Sequence, residues 1–210
     1  MRNRIRRTAQ KRKLKKTILI VCEGQETERN YLDGLKREET ISKAFAITVV
    51  PGRGGSRSQI IERAINQKAQ RREMDVVLCV LDTESLETIE AKEDLATSRQ
   101  EAAHNDITLY LSNPAFEVWL LAHFRRTSRS FRNCNAVIVE LDKEWSAAFR
   151  QPYDKSDDKV YQRLATRTQA AVTNAKMVVE IDHKEKPDIA DRNSSTDFYQ
   201  LVERLLSGTL

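Results

Sequence analysis

Cysteine is scarce in this 210-residue chain, with three in all. An odd number builds no disulfide framework, and no Cys/His spacing matches a structural zinc site. Cys22 and Cys79 fall inside apolar runs, where a small buried thiol is expected and thiol chemistry is not. No apolar stretch approaches the roughly 20 residues of a membrane span. The basic N-terminus also lacks the apolar segment of a signal peptide. These absences point to a soluble, cytoplasmic protein with no membrane partner. No internal repeat or long Gly/Ser linker divides the chain, and 40% hydrophobic content supports one real core rather than two catalytic domains.

Charge is present but unevenly placed. Nine of the 36 basic residues (Arg2, Arg4, Arg6, Arg7, Lys11, Arg12, Lys13, Lys15 and Lys16) fall within residues 1–16, which hold no acid. The rest carries 27 basic against 31 acidic side chains, so a body of net charge about −4 follows a polycationic tail. Such an arm favours approach to a phosphate backbone through counterion release and steering, without sequence preference. The plainer reading is a solvated tail that aids solubility.

Four short apolar runs follow, and each ends at a polar or turn residue. Residues 17–22 stop at Glu23-Gly24, residues 45–50 at Pro51-Gly52, residues 75–81 at Asp82-Thr83-Glu84, and residues 107–111 at Ser112-Asn113-Pro114. Unbroken apolar strands alternating with helical stretches (26–39, and 56–72 opened by Ser56) belong to a parallel sheet covered on both faces. The expected fold is α/β, a mostly parallel sheet flanked by helices. Its expected parts are a tail (1–16), a core (17–125) and a helical extension packed on it (126–210). Within the extension, 160–180 and 197–206 have helical spacing, the latter behind a cap at Ser194.

In open α/β sheets, ligands sit outside the carboxyl ends of the strands. Glu23, Asp82 with Glu84, and Asn113 each follow a strand, so they should share one rim. Carboxylates brought together there repel one another unless a cation neutralises them, and magnesium suits a few carboxylates plus waters and phosphate oxygens. Taken singly, Glu23 before Gly24 reads more readily as a turn or cap residue than as a ligand. The one-residue spacing of Asp82 and Glu84 lets both face one ion. Glu28 falls near the same rim if a helix begins close to Glu26, although an acid in a first turn also favours the helix dipole.

Residues 51–58 combine glycines with Arg53 and Arg57 ahead of a helix N-terminus, a combination that can cradle phosphate. The Gly-Lys-Ser/Thr ending of a P-loop is missing, so nucleotide hydrolysis is not expected there, and a plain loop remains the alternative. Asn113-Pro114 suits a helix start, with Asn as cap and Pro in the first position. Phe116, Trp119, Leu120, His123 and Phe124 then follow helical spacing, which makes this mainly a packing helix. Glu117 in its early turns lies near the rim, and His123 reads either as a core histidine or as a proton-transfer group.

The segments Cys22-Glu23-Gly24-Gln25-Glu26-Thr27-Glu28, Asp82-Thr83-Glu84 and Ser112-Asn113-Pro114-Ala115-Phe116-Glu117-Val118-Trp119 together resemble the RloB-like (AbiLii-type) family. Tyr153-Asp154-Lys155 and Asn193-Ser194-Ser195-Thr196 are similar to that family's C-terminal pattern. The resemblance implies a Toprim-like fold, the metal-binding α/β module of primases, topoisomerases and OLD-type nucleases. It also implies bacterial phage defence, often beside an ABC-type ATPase partner. Toprim sites use a Glu after the first strand, matched by Glu23, and an Asp-x-Asp after a later one, from which Asp82-Thr83-Glu84 departs by one methylene.

The expected function is therefore a magnesium- or manganese-dependent nuclease acting on DNA or RNA. Glu23, Asp82, Glu84 and Glu28 would be metal ligands, with Glu117, His123 and Lys155 as further site residues. Arg53, Arg57 and the tail residues Arg4, Arg6, Arg7, Lys11, Arg12 and Lys13 would contact nucleic acid. The alternative is a non-catalytic nucleic-acid-binding adaptor or sensor of a defence complex, and a homo-oligomer is compatible with either.

Overall fold

The computed structural model describes residues 14–52, 54–84, 86 and 88–210. Arg4, Arg6, Arg7, Lys11, Arg12, Lys13 and Arg53 lie outside the described residues.

Among the described residues, five strands form one sheet in the order β2-β1-β3-β4-β5. β1 (Lys16–Cys22), β2 (Phe45–Pro51), β3 (Val76–Asp82) and β4 (Ile107–Asn113) are parallel. The two-residue β5 (Ser195–Thr196) runs antiparallel to β4. β-branched and leucine-rich runs make β1 and β3, and their period-two alternation serves two cores at once. Ile18, Ile20, Cys22, Leu78 and Val80 face one layer, while Leu19, Val21, Val77, Cys79 and Leu81 face the other. Both expected buried thiols, Cys22 and Cys79, are free and buried.

The second layer is covered by α3 (Arg57–Gln70) and α4 (Ile89–His104), through Ile60, Ile61, Ala64, Leu95 and Ala102. The first is covered by α1 (Thr27–Leu35) and α5 (Glu117–Ala122), together with α6 (Cys134–Phe149), α7 (Val160–Leu164), α8 (Thr168–Met177) and α9 (Phe198–Ser207). Its centre is aromatic: Tyr31 meets Phe116, Trp119, His123, Tyr161 and Phe198 edge-on at centroid distances of 5.1–6.1 Å. Residues 126–210 supply many of these core groups, so they share the sheet's main core. Among the described residues, no helix is long and apolar enough to cross a membrane.

Four local expectations are corrected. The stretch 26–39 breaks, and a separate short helix α2 (Glu39–Ala44) turns Ile41 into the core. The stretch 160–180 is interrupted by a 3-10 turn at Ala165–Arg167 and ends in wide turns at Val178–Asp182. Asn113 and Pro114 do not open a helix. Asn113 is the last residue of β4, paired with Ser195, and its amide donates to the Ile189 carbonyl at 2.8 Å. Similarly, Ser194 caps nothing: α9 begins after Asp197, and the Ser194 hydroxyl donates to the Arg129 carbonyl at 2.9 Å.

Candidate functional site

β1 leads to β2 on one side and pairs with β3 on the other, so the strand order reverses at β1. A crevice opens at the carboxyl ends of strands where such a reversal occurs. Glu23 and Asp82 flank it, Glu23 directly after β1 and Asp82 as the last residue of β3. Glu23 Oε2 accepts from the Asp82 backbone N–H at 3.0 Å. The sheet thereby orients the first acid with the backbone of the second.

A polar recess of about 420 Å³ lies over this point, lined by Glu23, Gly24, Glu28, Asp82, Glu117 and Lys155 among others. Glu28 enters from the first turn of α1 and Glu117 from the first position of α5, only 7% and 3% exposed. Gly24 donates its N–H to Glu28 Oε1 at 3.2 Å. A Cβ on Gly24 would stand 1.9 Å from Glu28 Oε2, so the absent side chain makes room for the carboxylate to fold back. Gly52 has a parallel reason, since a Cβ there would stand 2.2 Å from the Glu23 carbonyl oxygen.

The acids feel one another. Burial, and then the charge of Glu84, raise the pKa of Glu23 against the pull of the Asp82 N–H. Burial, with the charges of Glu117 and Glu23, pushes Glu28 up to about 7. Asp82 is raised well above the usual carboxylate range by burial and by Glu28, Glu23 and Glu117. Crowded carboxylates that resist ionisation are what a bound cation would relieve.

Among the described residues, one cation lines this recess, and it comes from the C-terminal half of the chain. Lys155 Nζ stands 3.0 Å from Glu117 Oε1 and 3.4 Å from Cys134 Sγ, and the Cys134 thiol donates to Glu117 Oε2 at 3.3 Å. Burial, with the charge of Glu117 next, pushes the Cys134 thiol up to about 12. Among the described residues, no three His, Cys, Asp or Glu side chains form a ready-made metal-binding group. Each acid instead has a protein donor or a charged neighbour.

The other expected site residues separate. Glu84 is exposed, with φ of +52°, and its N–H donates to the Pro114 carbonyl at 2.9 Å. That backbone turn takes it out of the Glu23 recess and into an adjoining hollow, which it lines with Asp82 and Lys155. His123 does not line the recess: it is 2% exposed, in the aromatic core beneath it. Nor is Arg57 available to nucleic acid. Its guanidinium is 9% exposed and donates to the carbonyls of Thr83 at 3.0 Å and Ala91 at 3.2 Å. Nε stands 2.8 Å from Asp94 Oδ2, an ion pair without an aligned hydrogen bond. Arg57 thus clamps the segment after β3.

Sequence reasoning missed Cys134. It opens α6, far from any strand end, and no spacing rule connects it to the rim.

A family model described as "RloB-like protein" matches residues 18–205. No curated protein and no solved structure matches the chain.

Proposed function

The chain belongs to the RloB-like family, and from that premise we propose that it is a divalent-metal-dependent nuclease that cuts phosphodiester bonds of DNA or RNA in bacterial phage defence. The observation that carries this reading is the convergence of Glu23, Glu28, Asp82 and Glu117 on one recess where the strand order reverses. Their all-oxygen donor set suits magnesium or manganese. Magnesium keeps several waters and needs only one or two carboxylates, so a preformed three-residue group is not required. A Glu after the first strand and an Asp at the end of the third also agree with a Toprim-like arrangement.

In this reading Glu23 and Asp82 would hold the ion, and Glu28 and Glu117 would orient its waters. The chemistry such an ion would supply is polarisation of the scissile phosphate and stabilisation of the leaving oxygen. Glu23 is aimed by the Asp82 N–H and Glu28 by the Gly24 N–H. Lys155, nearly half exposed, draws a phosphate towards the recess while Glu117 restrains its ammonium. Glu84 stands at the edge between two hollows, where it can take part in holding an ion or its waters. An ABC-type ATPase partner and a cytoplasmic location belong to the same proposal, with which a homo-oligomeric state is compatible.

The test is incubation of the full-length protein with labelled DNA and RNA pools in magnesium or manganese, with and without an ATPase encoded nearby. Glu23→Gln and Asp82→Asn should each abolish cleavage without unfolding the protein. Undiminished cleavage in both variants would rule this site out.

A second reading, a non-catalytic adaptor that binds nucleic acid, is favoured by the Glu117–Lys155 pair, which already neutralises one acid internally. No cleavage with any divalent metal, together with salt-sensitive binding that is lost on deleting residues 1–16, would select it.

A further inference from the structure

The rim continues beyond the acidic recess. Across Asp82 and Lys155 lies a second hollow of about 420 Å³ that reaches Glu84, Asn133 and Cys134. Across Glu84 lies a third, of about 400 Å³, lined by Asn113, Ser130, Arg132 and Asn193 among others. Each hollow shares lining residues with the next, so the three adjoin in series.

Arg132 stands at the far end of this series, exposed to solvent. Its neighbours Arg125, Arg126 and Arg129 are engaged by Glu140, Glu144 or Asp182. Arg132 has no ion pair among the described residues. Its backbone is nevertheless held on both sides. The Asn193 side chain accepts from the Phe131 N–H at 2.9 Å and donates to the Phe131 carbonyl at 2.7 Å. Ser194 holds the Arg129 carbonyl, and Asn133 caps α6 by accepting from the Ala136 N–H at 3.1 Å. A cation on a pinned loop meets an anion with little ordering cost.

An anionic strand that passes over a floor of carboxylates needs cations along its path to offset the repulsion. Lys155 stands where the acidic recess meets the second hollow, and Arg132 stands in the third. We propose that the adjoining hollows form one track for a phosphodiester strand, in which Arg132 grips a phosphate beyond the acidic recess and Asn193 and Ser194 are its positioning residues. This deepens the nuclease reading and rests on it.

The test measures the affinity of the full-length protein for labelled single-stranded RNA, single-stranded DNA and duplex DNA. Calcium replaces magnesium, and salt runs from about 50 to about 200 mM. Arg132→Ala should weaken binding about tenfold on every sequence. It should also reduce the slope of log affinity on log salt, by about 0.7 for a single strand or 0.9 for a duplex. Arg132→Lys should restore the slope, because the slope counts charge. Lys43→Ala removes an exposed charge next to the amino end of β2, opposite the rim, and should leave the slope unchanged. The form of nucleic acid whose slope responds is the one that occupies the track. If the wild type cleaves but Arg132→Ala keeps wild-type affinity and slope, the track is overturned and the nuclease reading stands. A wild type that neither binds nor cleaves overturns both.

Discussion

The Tyr31 hydroxyl donates to His123 Nε2 across 3.1 Å, in the buried aromatic cluster beneath the acidic rim. The donor is fixed by the other ring nitrogen: Nδ1 stands 3.0 Å from the Trp119 carbonyl, which can only accept, so Nδ1 carries the proton and Nε2 is free to accept. This contact ties α1, which carries Glu28, to α5, which carries Glu117. His123 thus joins the two helices that carry these acids.

Burial lowers the His123 pKa to about 4, so the imidazole is neutral in the fold. An unfolded histidine titrates near 6.5. Its contribution is fully present above about pH 6.5, declines as pH falls, and is gone below about pH 4, a loss on the order of 3 kcal/mol. His183, also lowered mainly by burial, acts in the same direction, whereas the raised acids of the recess act oppositely. Urea unfolding of wild type and His123→Gln should therefore diverge at pH 7 and converge towards pH 4. A stability difference that stays constant across that range would contradict a neutral buried His123.

Gly24→Ala should displace the Glu28 carboxylate, whose oxygen occupies the space of the new methyl group. Calorimetric titration with manganese should show an affinity loss of about 10- to 100-fold. The melting temperature in chelator should hold, because Gly24 lies outside every helix and strand. Glu28→Gln should match it in metal affinity.

Magnesium should raise the melting temperature of the wild type in a concentration-dependent way, since a ligand of the folded state stabilises by mass action. At about 100 times the dissociation constant the gain is roughly 2.7 kcal/mol. Asp82→Asn should abolish the gain. In chelator that variant should be at least as stable as the wild type, because it removes a carboxylate that burial and three neighbouring acids already disfavour. Differential scanning calorimetry with and without magnesium reads both effects.

Arg57→Ala should destabilise the fold by about 2 kcal/mol by leaving the Thr83 and Ala91 carbonyls without their donor. Hydrogen exchange should rise in residues 83–91. The salt dependence of nucleic-acid binding should not change, since this cation is spent inside the protein. A reduced salt slope would return Arg57 to the binding surface.

Much of the fold was legible because strand patterning is local. The runs 17–22, 45–50, 75–81 and 107–111 each became a strand, within a residue or two at either end. Where helices break was less legible. The split after Leu35 depends on Ile41 finding the core, and the irregular turns after Met177 follow packing that no periodicity encodes. Ser194 and Asn113 carried good capping chemistry, but tertiary partners, the Arg129 and Ile189 carbonyls, claimed their side chains.

By itself the sequence determined that acids follow buried strands, and strand ends in a parallel sheet must share a rim. That placed Glu23 and Asp82 together with no knowledge of strand order. Only the tertiary structure decided that the order reverses at β1, which puts those two acids across one crevice. It also brought Lys155 and Cys134 from the distant C-terminal half into contact with Glu117. Through one left-handed backbone turn it moved Glu84 to the neighbouring hollow, and through burial it removed Arg57 and His123 from the surface. The physical reason is range: patterning acts over a few residues, whereas side-chain convergence depends on contacts between segments far apart in the chain.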